Sequence, residues 1–188
     1  MVEIRAVDAS CRDAVAELFT ANNTVAGCGC MYFVLSNKEF SAGYHSHANR
    51  DRLLAELSQS PPIALVAYSG GRAVGWCATG PRERYARVLR SPLMKARESA
   101  EDGAVWFLPC LFVRAGERRK GVAAELLAAA VGVAREHGAT AVEGFPYAGG
   151  EKRATGEAYV GTEAMFAGAG FTLRARPSAK RVIMRVDL

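Results

Sequence analysis

Apolar and polar positions follow two rhythms along this chain, a period of two and a helical period, and turn residues separate them. Glu3 to Val7 predicts a first strand with Ile4 and Ala6 inward. Asp8 or Ser10 then caps a helix through Asn22, because Cys11, Ala14, Val15, Leu18 and Phe19 share one face. Gly27 and Gly29 break any simple helix in the patch GCGCMYFVL, and Met31, Tyr32 and Phe33 there need burial or a ligand. With the polar run that follows, the patch predicts a helix-loop flap over the core. Asn49 or Asp51 is the expected cap of a second helix, with Leu53, Leu54 and Leu57 inward and Pro61-Pro62 as its stop. Ile63 to Tyr68 and Ala73 to Thr79 predict a hairpin closed by Ser69-Gly70-Gly71. Pro81 to Asp102 is charged, with Tyr85, Val88, Leu89, Leu93 and Met94 at loosely helical spacing, and reads as a surface helix or lid whose Arg82, Arg84, Arg87 and Arg90 form a solvated face or, less readily, meet an acidic acceptor or the cofactor's phosphates.

The sharpest change of period lies between Val105 and Gly138. Val105 to Val113 is almost wholly apolar, as in a strand buried on both faces. Pro109 within it cannot donate to a sheet ladder and predicts a bulge or a splayed edge. Arg114 to Lys120 is polar and cationic, and from Gly121 onward Ala123, Leu126, Leu127, Ala130 and Ala134 recur at helical spacing up to a stop at Gly138. A helix starting at such a turn presents unpaired N–H groups and the positive end of its dipole, which suit a phosphate. Beyond it, Thr140 to Tyr147 predicts a strand ending at Pro146, and AGGEKRATGEA predicts a flexible loop. Thr162 caps a short helix, and Phe171 to Arg174 and Arg181 to Val186 read as the last two strands.

The chain has 188 residues, half of them hydrophobic, which predicts one domain spanning 1–188 with a sizeable core. No window approaches a membrane span and MVEIRAVDAS carries no basic-then-apolar leader, so a cytoplasmic protein that makes no membrane contact is expected. The net charge of +5 is spread along the chain rather than gathered in a block, which speaks against a nucleic-acid partner. The five cysteines show no paired CxxC spacing and are expected to be reduced thiols. Cys28 and Cys30 with His45 and His47 fit no familiar zinc spacing, so no metal is expected.

Arg118-Arg119-Lys120-Gly121-Val122-Ala123, placed between the strand end LFV and the helical ELL, resembles the acyl-CoA loop of the GCN5-related N-acetyltransferase (GNAT) superfamily. GTEAMFAGAGF, from Gly161 to Phe171, resembles that superfamily's last helix and its glycine-phenylalanine exit. The Cys-x-Cys-Met-Tyr patch is similar to one found in a largely uncharacterised bacterial group of the superfamily. The resemblance implies a mixed α/β (α+β) fold: a mostly antiparallel central sheet of six to seven strands, helices on both faces, and a strand pair splayed apart for acyl-CoA. It implies acetyl-CoA as acyl donor, with the diphosphate on Arg118, Arg119, Lys120, Gly121, Val122, Ala123 and Ala124, and the pantetheine along the main chain of Leu111, Phe112 and Val113.

The activity so implied is N-acetyl transfer to a primary amine by direct attack on the thioester. The acceptor is expected to be a small molecule, such as an amino-acid-like compound or an antibiotic, in preference to a long peptide, with Cys30, Met31, Tyr32 and Trp76 as candidate walls of its site, Trp76 being read more readily as core. Many members carry a tyrosine as general acid four residues before the glycine of the final Gly-Phe pair; here that position is Phe166. Cys110, Glu143 and Tyr147 are therefore the candidate proton-handling groups, with Tyr159 bordering the loop. The missing acid leaves open a second reading, a non-catalytic acyl-CoA-binding sensor. Dimers are common in the superfamily, so a homodimer is compatible with the resemblance.

Overall fold

The computed structural model describes residues 2–94, 97–149 and 158–188, with the side chain of Ala158 excluded. Residues 150–157, most of the expected glycine-rich loop, lie outside that set.

Seven strands form one sheet in the order β1-β2-β3-β4-β5-β7-β6. They are β1 (Glu3–Ala6), β2 (Ala64–Ser69), β3 (Arg72–Pro81), β4 (Val105–Val113), β5 (Ala141–Gly144), β6 (Thr172–Ser178) and β7 (Arg181–Asp187). Every neighbouring pair is antiparallel except β4 and β5. The mixed, mostly antiparallel sheet expected from the sequence is thus present, and the β2–β3 hairpin turns through Gly70 and Gly71 at φ 56° and 79°.

Helices cover both faces. On one, the stripe of α6 (Val122–Glu136) buries Leu126, Leu127, Ala130 and Ala134 against Leu65, Leu108, Val142 and Met184 of the sheet, and Phe166 of α7 (Glu163–Gly168) joins them. On the other, α1 (Arg12–Leu18), α2 (Asn23–Cys28) and α4 (Ala48–Ala55) pack Val15, Leu18, Val25, Leu53 and Leu54 onto Val66, Trp76 and Phe112. Between α2 and α4 lies α3 (Asn37–Tyr44), entered by a capping box of Ser36 and Glu39. A short α5 (Ala86–Arg90) follows β3.

Several sequence expectations shift for identifiable reasons. The first helix ends at Leu18 instead of Asn22, because Asn22 turns its side chain to cap the next one, accepting from Val25 N–H at 3.0 Å. Gly27 lies inside α2. Asn49 caps nothing: it is buried within α4 and donates to the carbonyls of Gly27 and Phe40, tying three helices together. Ala6 faces outward. The lid is less solvated than its charge suggested, since Arg82, Tyr85, Val88 and Met94 are all buried.

The sheet forks in its middle. The parallel pairing of β4 with β5 runs from Val105 opposite Ala141 to Leu108 opposite Gly144 and stops there, while β4 continues to Val113. At the same level β4 is bulged: Ala78 faces Cys110 and Gly80 faces Phe107, so two steps on β3 match three on β4. The extra residue falls at Leu108-Pro109, where proline has no N–H to give the ladder. It resets the alternation, so that Leu108 and Leu111 both point to the α6 side while Cys110 and Phe112 point to the α1 side.

Gly144, the last residue of the short arm, touches the ring of Phe166 so closely that a Cβ would sit 2.1 Å from it. Substituting alanine there should displace that ring or the strand and cost about 1–3 kcal/mol, the usual penalty of overpacking. Chemical denaturation of Gly144→Ala beside the parent chain is the measurement, and an unchanged midpoint would refute the contact.

Candidate active site

The longer arm of the fork leads into the basic turn. Arg118 Nε donates to the Val113 carbonyl at 3.0 Å and so folds the turn back onto the strand end. Arg119 has φ 62° and Gly121 φ 87°, two left-handed residues that swing the chain into α6. Gly121 is the N-cap of that helix and offers no side chain to its first turn. Among the described residues the N–H groups from Arg119 to Ala124 meet no protein acceptor, the first return bond of the helix being Glu125 N–H to the Gly121 carbonyl. Six adjacent donors at the positive end of a 15-residue helix form an anion cradle.

A cavity of about 470 Å³ lies against this cradle. Leu111 and Val113 form one wall, the turn from Arg118 and the start of α6 another, and Tyr159 with Met165 of α7 closes it. Eight of the ten residues expected to meet the donor line this space; the other two do not. Phe112 points to the opposite face, buried beside Trp76, leaving only its main chain at the edge. Lys120 is turned outward to Glu117, at 3.1 Å. Tyr159 meets Phe112 edge-on with ring centroids 5.5 Å apart, and its hydroxyl accepts from Asn22 Nδ2 at 3.2 Å.

A second cavity, about 450 Å³, lies by the other arm, where Phe145 leaves β5. Tyr32, Phe33 and Leu35 from the patch, Arg87, Val88 and Arg90 of α5, the turn from Ser91 to Met94, and Arg181 at the start of β7 surround it. Of the four residues expected to wall the acceptor site, only Tyr32 is there. Met31 and Trp76 are wholly buried in the core, Trp76 edge-on to Phe19 with centroids 5.0 Å apart. Cys30 is held from behind, Trp76 Nε1 reaching its sulfur at 3.2 Å.

The three proton-handling candidates separate. Cys110 stands at the bulge facing Cys30; its hydrogen bond to that sulfur and its burial raise its pKa well above the usual thiol range, and it stays protonated. The same bond, with that from Trp76, lowers the pKa of Cys30 against the opposing effect of burial. Glu143 is a correction: Arg82 holds it at 2.7 Å and Arg185 at 3.1 Å, a clamped carboxylate inside the sheet and not a base facing a cavity. Tyr147 lies with its ring 3.9 Å beneath the Arg181 guanidinium and lines neither cavity.

Two hydroxyls stand at the fork without the sequence having pointed to them there. Thr79 Oγ1 and the Tyr85 hydroxyl are buried without a hydrogen-bond partner among the described residues, Thr79 opposite the bulge and Tyr85 with its ring against Phe107. Burial raises the Tyr85 phenol far above its ordinary range. Orphaned hydroxyls are rare in a core, and these two sit where the sheet parts. No local pattern marks them, since only the fold brings them to the fork.

The model of the acetyltransferase (GNAT) family matches residues 30–145, well over half of the chain and the whole path from Cys30 through the forked strand and its helix. The chain belongs to the GNAT acetyltransferase family. No curated protein matches it in sequence. Among solved structures it is similar to the PaiA N-acetyltransferase of Thermoplasma acidophilum, in complex with coenzyme A, at 13% identity and TM-score 0.56, covering 100% of this chain and 99% of that one. It is also similar to the GNAT domain of S. lividans PAT, at 15% and 0.58 over 100% and 90% of the two chains. A third likeness is to yncA of Salmonella typhimurium, with its cofactor acetyl-CoA, at 15% and 0.54 over 99% and 93%. At these identities the likenesses establish the GNAT fold, and the site's chemistry must come from this chain's residues.

Proposed function

We propose that this GNAT protein moves an acetyl group from acetyl-CoA to the nitrogen of a small primary amine. The observation that carries the reading is the run of amides from Arg119 to Ala124, unpaired among the described residues, opening on a cavity whose other wall is the edge of β4 that β5 leaves uncovered. That combination suits a donor with a diphosphate at one end and an extended amide-bearing arm. Arg118, Arg119 and the amides of Gly121 to Ala124 would hold the diphosphate. The β4 edge past Leu108, at Leu111 and Val113 and the main chain of Phe112, would hold the arm.

Bound acetyl-CoA supplies an electrophilic thioester carbonyl and a thiolate leaving group. A C–N bond replaces the C–S bond, the nitrogen gives up one proton and the departing sulfur takes one. The chain's own part is to place the two reactants, to aim strand N–H groups at the carbonyl oxygen and to manage those protons. Phe166 cannot do the last, being a buried ring packed against Phe171. Tyr159 can: its hydroxyl belongs to a residue in the cavity wall, on the free side of β4. Cys110, kept protonated, is the second donor at the bulge.

Tyr159→Phe should lower kcat by about 100-fold or more, in the range of general acid catalysis, while the KM for acetyl-CoA changes little. Release of CoA thiol with an accepted amine measures both, and full activity in the variant would remove Tyr159 from the mechanism. The buried Phe166 also favours a second reading, an acyl-CoA-binding module without turnover. Tight acetyl-CoA binding with no CoA release across a broad amine panel would establish that reading instead.

A further inference from the structure

The cavity beside Phe145 has a chemical character that the transfer reaction alone does not require. Arg87, Arg90 and Arg181 line it, and none of its described walls supplies a carboxylate. Arg87 is pinned in place: its guanidinium donates to the carbonyls of Tyr32 and Leu35 and to Asn37 Oδ1, and lies over the Tyr32 ring at 4.0 Å. None of those partners carries a negative charge. Arg90, three residues on along α5 and so near the same helical face, is exposed and makes no hydrogen bond or ion pair among the described residues. The carboxylate that feels its charge is Glu39, which is turned instead to the Ser36 capping box. The rest of the lining is largely apolar, with Phe33, Leu35, Leu93, Met94 and Phe145.

From this we infer that the cavity binds a small amine that also carries a carboxylate, an amino-acid-like acceptor, with Arg90 and Arg87 facing the carboxylate and the apolar walls taking its side group. The inference rests on the transferase reading for the word acceptor, but the anion site itself does not. Guanidinium forks match carboxylates in geometry as well as charge. At about 450 Å³ the space is of the size that holds a small ligand. Placement at the end of β5 puts such a ligand against the shorter arm of the fork, while the donor's cradle adjoins the longer one.

The test is calorimetric binding to the CoA-loaded protein of N-acetylated glycine, leucine and phenylalanine, each beside its uncharged amide. The best acid should bind about tenfold tighter than its amide or better, the margin of one charge-assisted hydrogen bond. Arg90→Glu should erase that preference and leave CoA affinity unchanged and melting temperature nearly so, because among the described residues Arg90 makes no hydrogen bond or ion pair. Acids and amides binding alike, none of the three acids binding, or an undiminished preference in the variant would each overturn the inference. Turnover is read separately, as CoA release from acetyl-CoA with the free amino acids. Selective binding of acids without turnover would sustain the anion site and sink the transferase reading.

Discussion

Gly121→Glu should abolish acetyl-CoA binding, with a loss of at least about 100-fold in affinity by calorimetry and no loss of fold by circular dichroism. Two effects act together. Gly121 has φ 87°, where a residue with a Cβ is strained by about 1–2 kcal/mol. That term alone is modest, and a Cβ would find room, the nearest atom being Glu125 Oε1 at 3.8 Å. The larger effect is electrostatic, since a carboxylate at the mouth of six unpaired amides would occupy the cradle and repel a diphosphate. Gly121→Ala separates the two: it carries the strain, which lowers stability, without the charge, and should bind acetyl-CoA far more tightly than Gly121→Glu. If Gly121→Glu bound acetyl-CoA as tightly as the parent, the diphosphate would not lie at this turn.

Arg82→Met should be the most destabilising single change in the lid. The Arg82 side chain is wholly buried, and its guanidinium meets Asp102 at 2.7 Å, Glu143 at 2.7 Å and the carbonyl of Glu98 at 2.7 Å. Removing it leaves Glu143 in the sheet with, among the described residues, only Arg185, itself shared with Glu101 and Asp187. Breaking one partner of a buried ionic network costs about 3–5 kcal/mol, because the remaining charge keeps its desolvation penalty. In a chain of this size that is a fall in melting temperature of roughly 6–20 °C. Arg82→Met with Glu143→Met should recover part of the loss, as both ends of one contact then become apolar, while Asp102 keeps Arg97 at 2.9 Å. A double variant no more stable than the single one would show that Glu143 is not the charge being compensated.

The same network explains why Glu143 misled the reading of the sequence. A glutamate on an apolar strand is a reasonable proton acceptor until its partners are known. Those partners, Arg82 and Arg185, are 61 and 42 residues away. Met31 was misplaced for a related reason, and Trp76, read more readily as core, was left open by it: side chains that can line a pocket are equally suited to a core, and only the packing of α1, α2 and β3 chose between the two.

The sequence by itself determined the elements whose causes are local. The change of period after Val113, the glycine that starts α6, the proline that bulges β4, the hairpin glycines and the Thr162 cap all appear where the residues require them. Phe166 was legible too, since a ring without a hydroxyl donates no proton whatever surrounds it. The tertiary structure alone decided what depends on distant partners: the burial of Arg82, the Cys30–Cys110 contact, Tyr159 at the donor cavity, and Arg87 and Arg90 beside Phe145. Periodicity records which face of an element is apolar. It does not record which other face, tens of residues away in the chain, will meet it, and in this protein both cavities are built from such meetings.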